Sequence, residues 1–411
     1  MDGGRPTHVV IGANLAGGSA VVTMRSEGFD GRIVLVGEEA HPPYERPPLS
    51  KEYLRGETSF EKSFLVAPSW YIENDVDLRL GTRCHRVDVN GRAVELDGGE
   101  RIAYDAVLVA TGGRNRRLRV PGADLEGIFE LRTREDADHI REAASQGRRA
   151  VVVGAGFIGT EVAASLRDLG LEVAVVELFD APLVRVLGSR VGRVLEGIHR
   201  DRGVRFHFSQ VVARFEGHRR VERVVTDRGT SLDCDFVVVG VGIEPSVDVV
   251  RDSGLRLENG IAVDARCRSS VEGIYAAGDV ANHQHPLFGA SVRVEHWDNA
   301  LKQGAAAARN MIGREEVFDD PHWFWSDQFG VNIQYVGHAP TWDELVVRGS
   351  IPDLSFVAFY LKDGLVVAAA GLGRGKDVRR AAALVRARRP IDRRSLRDDE
   401  VDLRKLAVGA A

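Results

Sequence analysis

With 411 residues, 44% of them hydrophobic and 28% charged, the chain has an ordinary globular composition and room for two or three domains. A formal net charge of −5 argues against a nucleic-acid or membrane-surface partner. No apolar run nears the roughly 20 residues of a spanning helix, and MDGGRPTHVVIG has no basic segment before an apolar one, so a cytoplasmic protein without a secretory signal is expected.

In chain order, HVVIGANLAG (8–17) is an apolar run entering a glycine turn. A helical stretch to about Ser26 and the strand-like GRIVLVGEE (31–39) follow, which together predict one βαβ unit. HPPYERPPLSK (41–51) has four prolines in eleven residues. Such a run is stiff and extended, suited either to holding Arg46 and Lys51 against a ligand or to acting as a rigid surface linker. YDAVLVATGG (104–113) ends an apolar run in glycines. A second βαβ unit then runs from AVVVGAGFIGTE (150–161), through a helix to Leu169, into LEVAVVEL (171–178). CDFVVVGVGIEP (234–245) and EGIYAAGDVA (272–281) repeat the apolar-run-to-glycine pattern, the latter with Asp279 just past its glycine. From about 320, alternation in HWFWSDQFGVNIQYVG and LSFVAFYLKDGLVVAAAGLG predicts antiparallel strands, and KDVRRAAALVRARR predicts a helix. Trp323 and Trp325 fall in one of these strands, where one is expected to face a core and the other a pocket or solvent. The fold class expected is α/β, with two Rossmann-like dinucleotide-binding domains and a C-terminal α+β domain.

Both glycine turns approximate G-x-G-x-x-G. Gly154, Gly156 and Gly159 complete the pattern, whereas the first turn has Gly12 and Gly17 with Asn14 between them. In this motif the first glycine makes the tight turn, the second admits a pyrophosphate, and the third lets helix and strand pack closely. An acid ending the next strand binds ribose hydroxyls. Glu38 comes 26 residues after Gly12 and Glu177 comes 23 after Gly154. A Cβ at Asn14 should crowd the pyrophosphate, but asparagine tolerates unusual backbone angles and its amide can donate to a phosphate oxygen. Glu177 also repels a 2′-phosphate, and Leu178 and Phe179 offer no cation to offset it, which favours NADH over NADPH. Two such sites, one followed by a proline-rich run, suggest a flavin facing a nicotinamide.

PYERPPLSK, LVATGG, VVVGAGFIGTEVA, GVGIEP, GIYAAGDVA, VEHWDNA and FWSDQFG occur in this order over almost the whole chain. Together they resemble the FAD-dependent NADH:ferredoxin reductases, the family of putidaredoxin and rhodocoxin reductases and of the reductase components of aromatic-ring dioxygenases. The resemblance implies an FAD-binding domain over 1–114 and 240–320, an NAD-binding domain over 115–239, and a C-terminal α+β domain over 321–411. It implies that Gly12, Asn14, Leu15, Ala16 and Gly17 hold the FAD pyrophosphate and Glu38 the adenosine ribose. Arg46, Cys84, Ala110, Thr111, Gly112 and Arg132 match further flavin-nucleotide positions, Asp279 the ribityl and phosphate position, and Trp297 a residue against the flavin. Lys51 would lie beside the isoalloxazine close to Glu161, these two being the candidate catalytic pair. Gly154, Gly156, Ile158, Gly159, Glu177, Arg185, Gly242, Glu295 and Trp325 match the NADH side, with Trp323 close enough to compete for the aromatic position. From structure alone, Glu161 near the start of its helix is equally explained by the helix dipole.

Cys84, Cys234 and Cys267 are isolated, with neither C-x-x-C nor metal-ligand spacing, so no metal site and no dithiol relay are expected. Electrons taken from NADH onto FAD must then leave directly to an outside acceptor. The resemblance makes that acceptor a [2Fe-2S] ferredoxin serving a cytochrome P450 or a ring-hydroxylating dioxygenase. The alternatives are another acceptor (rubredoxin, monodehydroascorbate or a quinone) or a slow-turnover redox-sensing flavoprotein. Between Arg374 and Lys405 there are 12 Lys/Arg against 6 Asp/Glu, and Arg379, Arg380, Arg386, Arg388 and Arg389 lie on or just beyond the predicted helix. This segment is either a docking surface for an acidic ferredoxin or a solvated helix face.

Overall fold

The computed structural model describes residues 4–408, and the chain divides into two compact units. The first comprises the chain up to Glu45 together with Phe60–Arg114 and Ile243–His322. Its centre is a parallel sheet of five strands in the order Ile274–Ala276, Ala106–Val109, Thr7–Ile11, Arg32–Val36, Val76–Arg79. Near-continuous apolar runs make these strands, because both faces are covered: Val9, Val10, Ile33, Val34, Leu35, Val107 and Leu108 are all fully buried. One face carries the helix Leu15–Ser26, on which the helix Trp297–Met311 packs so closely that a Cβ at Gly304 would overlap the Ala16 carbonyl. The other face packs on Val87, Val94 and Ile102 of one three-stranded sheet and on Ile261, Val263 and Ala281 of another.

The second unit comprises Arg46–Ser59, Asn115–Gly242 and the chain from Trp323 onward. Its five-stranded parallel sheet has the order Arg205–Phe208, Glu172–Glu177, Arg149–Val153, Phe236–Val239, Ile128–Glu130. Read in the opposite direction, that order repeats the first sheet, with one change. The strand beyond Phe236–Val239 comes from earlier in the chain, whereas its counterpart Ile274–Ala276 comes from later.

An antiparallel sheet completes this unit, in the order Trp323–Gln328, Val331–Gly337, Leu365–Leu372, Ser355–Lys362, Glu344–Ser350, with the helix Gly375–Ala387 following it. Its apolar face, including Phe324, Ile333, Phe356, Tyr360 and Leu372, shares a core with Leu183, Leu187, Val191 and Leu195 of and beside the helix Val184–Asp201. On the sheet's other face Arg348 is buried, and its guanidinium donates to the carbonyls of Leu396, Ser395, Asp398 and Val401, which clasps the C-terminal segment to the sheet. Residues 46–59 group with this unit because Ser50 and Lys51 bond to the helix Phe157–Asp168. Two parallel sheets of the same strand order, with a separate antiparallel sheet and helix, are the α/β fold with a C-terminal α+β portion that the sequence predicts.

One expectation needs correction. Residues two apart in a strand share a face. Trp323 and Trp325 accordingly stack on one another, with ring centroids 5.3 Å apart and planes at 22°, and both are half-buried. The core side of this strand is taken instead by Phe324, Ser326 and Gln328.

Candidate functional site

The two glycine turns are superimposable by register. Ile11 pairs with Val36 as Val153 pairs with Val176, and Val109 pairs with Ile11 as Val239 pairs with Val153. Gly12 therefore corresponds to Gly154, Ala110 to Gly240, and Gly37 to Glu177. Gly12 and Gly154 both have positive φ, +116° and +99°, and a Cβ on either would overlap the carbonyl oxygen of the corresponding residue, Ala110 or Gly240. A Cβ on Gly17 or Gly159 would overlap the oxygen of Gly12 or Gly154. First and third glycines are thus demanded by the fold itself.

The middle position is different. Gly156 has φ −74°, and a Cβ there would meet no protein atom within 4 Å. Neither backbone nor packing calls for glycine, so the space it leaves open is free for a ligand. It lies at the N-terminus of the helix Phe157–Asp168, where unsatisfied N–H groups and the dipole favour an anion. This cradle fits a dinucleotide pyrophosphate.

At the first turn Asn14 is the N-cap of its helix. Its Oδ1 accepts from Gly17 N at 3.4 Å and its Nδ2 donates to the Ala110 carbonyl at 2.5 Å. One amide hydrogen expected for a phosphate is therefore used inside the protein, on the same carbonyl that keeps Gly12 a glycine. The N–H groups of Leu15 and Ala16 open the helix without intrahelical acceptors. Gly278 stands against Ala16, its absent Cβ only 3.1 Å from the Ala16 Cβ, and its N–H donates to Gln303 at 2.8 Å. That packing brings Asp279, the next residue, to the first turn of the helix. Trp297 begins the neighbouring helix and is half-buried. Thr111 donates to the Ser246 carbonyl at 2.6 Å and Gly112 adopts φ +65° beside it. This set fits an FAD nucleotide portion.

The acids are less alike than their spacing implies. Glu177 is buried, with Oε2 accepting from Ala155 N at 2.5 Å and Oε1 from Phe179 N at 2.8 Å. In the first turn the matching residue is Gly37, where a side chain would overlap Ala13, and Glu38 lies one place further on and exposed. Of the residues expected on the NADH side, Ile158 is exposed at the start of its helix and Gly242 has φ +96°. The Arg185 guanidinium sits over the Phe179 ring at 5.0 Å, so Phe179, whose N–H donates to Glu177, brings a cation to this strand end that Leu178 and Phe179 themselves do not supply. Glu295 is exposed and pairs with Arg293 at 2.7 Å within the first unit.

Within the second unit the proline-rich segment brings its two cations to defined partners. Arg46 donates to the Arg132 carbonyl, uniting two residues far apart in sequence. Lys51 is buried with its Nζ 2.9 Å from Glu161 Oε2. The same oxygen accepts from the Ser50 hydroxyl, and Glu161 Oε1 accepts from Ser326 Oγ at 2.6 Å. Gln328 extends the network by donating to Ser326 and to Thr160, both at 2.9 Å, and Thr160 donates to the Gly156 carbonyl at 2.9 Å. Gln328 Oε1 lies 2.7 Å from His199 Nε2, so that nitrogen carries the proton. Burial pushes His199 down to about 4. Ser50, Ser326, Gln328 and His199 were not anticipated. The signal was present in FWSDQ, where polar Ser326 and Gln328 share the strand face of Phe324 rather than that of the tryptophans.

Cys84 begins a strand, Cys234 and Cys267 lie in connecting segments, and all three are buried free thiols. Burial raises Cys84 to about 11, Cys234 to about 12, and Cys267 as well. Cys84 donates to the Arg86 carbonyl and is packed in the core below the first sheet. No thiolate pair is available for electron relay.

A family model described as pyridine nucleotide-disulphide oxidoreductase matches residues 6–304, and one described as reductase C-terminal matches 323–407. This chain belongs to the pyridine nucleotide-disulphide oxidoreductase family. As a member of that family it is 36% identical over 398 residues to the anthranilate 1,2-dioxygenase system ferredoxin–NAD(+) reductase component of Burkholderia cepacia, covering 96% of this chain and 98% of the relative. It is also 36% identical to rhodocoxin reductase of Rhodococcus erythropolis, over 97% of this chain and 94% of that one. Putidaredoxin reductase, solved as a covalent complex with putidaredoxin, matches with a TM-score of 0.95 and 32% identity over 98% of this chain and 99% of that one. This member of the family lacks the thiol pair its family's name implies. No helix among the described residues is long and apolar enough to cross a membrane.

Proposed function

We propose that this chain is the FAD-dependent reductase component of an oxygenase system, passing electrons from NADH to a [2Fe-2S] ferredoxin that serves a cytochrome P450 or a ring-hydroxylating dioxygenase. The observation that carries the reading is the pair of register-equivalent dinucleotide turns in a chain whose thiols are all single and buried. FAD, when bound, supplies the chemistry that accepts a hydride from NADH and releases electrons one at a time to a one-electron carrier. The protein's part is to bind and align. In the first unit Gly12, Leu15, Ala16, Gly17, Asp279 and Trp297 hold the flavin nucleotide. In the second, Gly156, Gly159, Ile158, Glu177 and Arg185 hold NADH. Lys51, paired with Glu161 and fixed by Ser50 and Ser326, keeps a cation in place for the flavin ring. The domain division that goes with this reading is FAD-binding over 1–114 and 240–320, NAD-binding over 115–239 and α+β over 321–411. Three separate free cysteines suit the reducing cytoplasm.

The test is steady-state NADH oxidation by the purified yellow protein with and without a [2Fe-2S] ferredoxin, read by cytochrome c reduction. Ferredoxin-dependent reduction well above the flavoprotein alone is expected, and its absence with every ferredoxin tried would overturn the acceptor assignment. For the docking surface, much of the basic C-terminal segment turns out to be internal bracing. Arg374 pairs with Asp377 and Asp399, Arg380 with Asp377, Arg393 with Glu344 and Arg404 with Asp402. Of the five arginines on or just beyond the helix, Arg379, Arg380, Arg386 and Arg388 are exposed. We place an acidic ferredoxin against these four. Charge reversal at Arg386 and Arg388 should raise KM for ferredoxin and leave KM for NADH alone. Added salt should slow ferredoxin reduction more than ferricyanide reduction, the Debye length being about 8 Å at physiological ionic strength.

A further inference from the structure

The chain between Glu177 and the helix Val184–Asp201 forms a strap over the second glycine turn, and it is fastened to one residue of that turn from both ends. Ala155, between Gly154 and Gly156, gives its N–H to the Glu177 carboxylate at 2.5 Å, and its carbonyl accepts from Leu183 N at 3.0 Å. Leu183 adopts φ +55° to do so, and Leu187 N donates back to its carbonyl at 2.8 Å, closing a single helical turn. Arg185 lies within that turn, over Phe179.

The turn is cut off from the rest of its helix at Gly188, which has φ +70° and ψ 164°. What occupies the break is the antiparallel sheet of the same unit. A Cβ on Gly188 would lie 2.6 Å from Trp342 Cζ2, so the indole edge sits where a side chain would project. Trp342 is held edge-on to Tyr360, ring centroids 5.0 Å apart at 79°. The buried Tyr360 hydroxyl donates to the Leu187 carbonyl at 2.8 Å, the last carbonyl before the break. Beyond the break, Ser189 and Arg193 tie back to Asp180 of the strap at 3.0 and 2.9 Å. The strap is therefore a short rigid link between the C-terminal sheet and the dinucleotide turn.

We propose that Trp342 and Tyr360 are positioning residues for the pyridine nucleotide: wedged at the Gly188 break, they set the strap that orients Ala155, Phe179 and Arg185 around the bound coenzyme. The proposal rests on the reading that the second turn takes NADH. It assigns the C-terminal sheet a part in coenzyme recognition.

The test uses the FAD-loaded protein with ferricyanide as acceptor, so that ferredoxin docking does not enter. Trp342→Ala and Tyr360→Phe are compared with the conservative Trp342→Phe, and Glu177→Ala serves as the reference for coenzyme contact. KM for NADH should rise about tenfold in Trp342→Ala and about threefold in Tyr360→Phe, the scale of one net hydrogen bond or less, and by more than kcat falls. Trp342→Phe should recover most of the loss, because an aromatic edge still fills the break. The discrimination between NADH and NADPH should shift with KM, a change that general loosening of the fold does not produce. If Trp342→Ala and Tyr360→Phe leave KM for NADH unchanged while Glu177→Ala raises it, the positioning role is wrong and the coenzyme site stands. A fall in kcat and thermal midpoint without a change in KM also overturns it. If Glu177→Ala leaves KM unmoved too, the coenzyme reading itself fails and takes this proposal with it.

Discussion

The two glycine turns share a sheet order, a register and two of three glycines, yet the chain treats them differently at the middle glycine and at the acid position. In the first unit the middle residue is Asn14, which folds its side chain back onto Ala110, and the acid position is Gly37. In the second the middle residue is Gly156 with open space beside it, and the acid position is the buried Glu177. Two helix positions further, Ser19 of the first unit donates to the Leu301 carbonyl at 2.7 Å and so serves helix packing. Its counterpart Glu161 holds a buried ion pair. Positions that agree between the turns are those the fold dictates, and positions that differ are free to answer to a ligand or to a second layer of structure.

The largest expected break in this comparison is at Glu161. Both its oxygens are engaged and its partner Lys51 is buried, so Glu161→Ala leaves an unpaired buried ammonium. A loss of about 3–5 kcal/mol is expected. Thermal and urea unfolding of the flavin-loaded protein measure it. Ser19→Ala at the equivalent helix position removes one neutral hydrogen bond and should cost about 1 kcal/mol. Similar costs for the two would show that the Lys51–Glu161 pair adds little to the fold.

Next come the glycines of the intact turn, which separate fold from ligand within a few residues. Gly154→Ala forces a Cβ onto the Gly240 carbonyl at positive φ and should lower stability by about 2–4 kcal/mol. Gly156→Ala meets no protein atom and should leave the unfolding midpoint near the parent value. It should instead weaken NADH binding, measured as KM or by titration. A normal KM in Gly156→Ala would show that no pyrophosphate passes through that space.

Much of this was legible in the sequence because the signals are local. Apolar runs, most of them ending in glycine, marked the parallel strands of both sheets except Val76–Arg79, Ile128–Glu130 and Arg205–Phe208, and the helices that carry Gly17 and Gly159 end within a residue of where they were expected. What was not legible depends on register or on distant pairing. Counting residues from glycine to acid equated Glu38 with Glu177, but the pairing of Ile11 with Val36 puts Gly37 in that place. The stacking of Trp323 on Trp325 follows from strand geometry that the alternation argument misapplied. Ser326 reaches Glu161 from 165 positions away, and His199 joins the network only through Gln328, 129 positions from it, separations that no spacing rule connects. The break at Gly188 reads in sequence as one more glycine in a helix; only Trp342, from another part of the chain, explains it.

A smaller effect is expected at Glu177, where the comparison with Gly37 isolates the acid. Glu177→Ala removes acceptors for Ala155 and Phe179 as well as the charge that opposes a 2′-phosphate. With Arg185 close by, the variant should narrow the preference of kcat/KM for NADH over NADPH by about tenfold, equivalent to about 1.4 kcal/mol. Ratios that do not move would mean that discrimination lies outside this strand end.

The smallest effect, and the one that most sharpens the contrast, is at Asn14. The two turns differ at the middle position because Asn14 does two structural tasks that Gly156 does not: it caps the helix through Gly17 N and it braces the turn through Ala110 O. Asn14→Gly should therefore cost about 1 kcal/mol or less, since glycine is itself tolerated at an N-cap, and Asn14→Ala somewhat more. Neither should empty the flavin site, because the N-terminal N–H groups of the helix and Asp279 do not depend on that side chain. Purified Asn14→Gly should stay yellow, with its flavin content unchanged and its thermal midpoint slightly lower. If the variant loses flavin while remaining folded, the Asn14 amide itself contacts the cofactor. The altered glycine would then be a ligand contact rather than a cap.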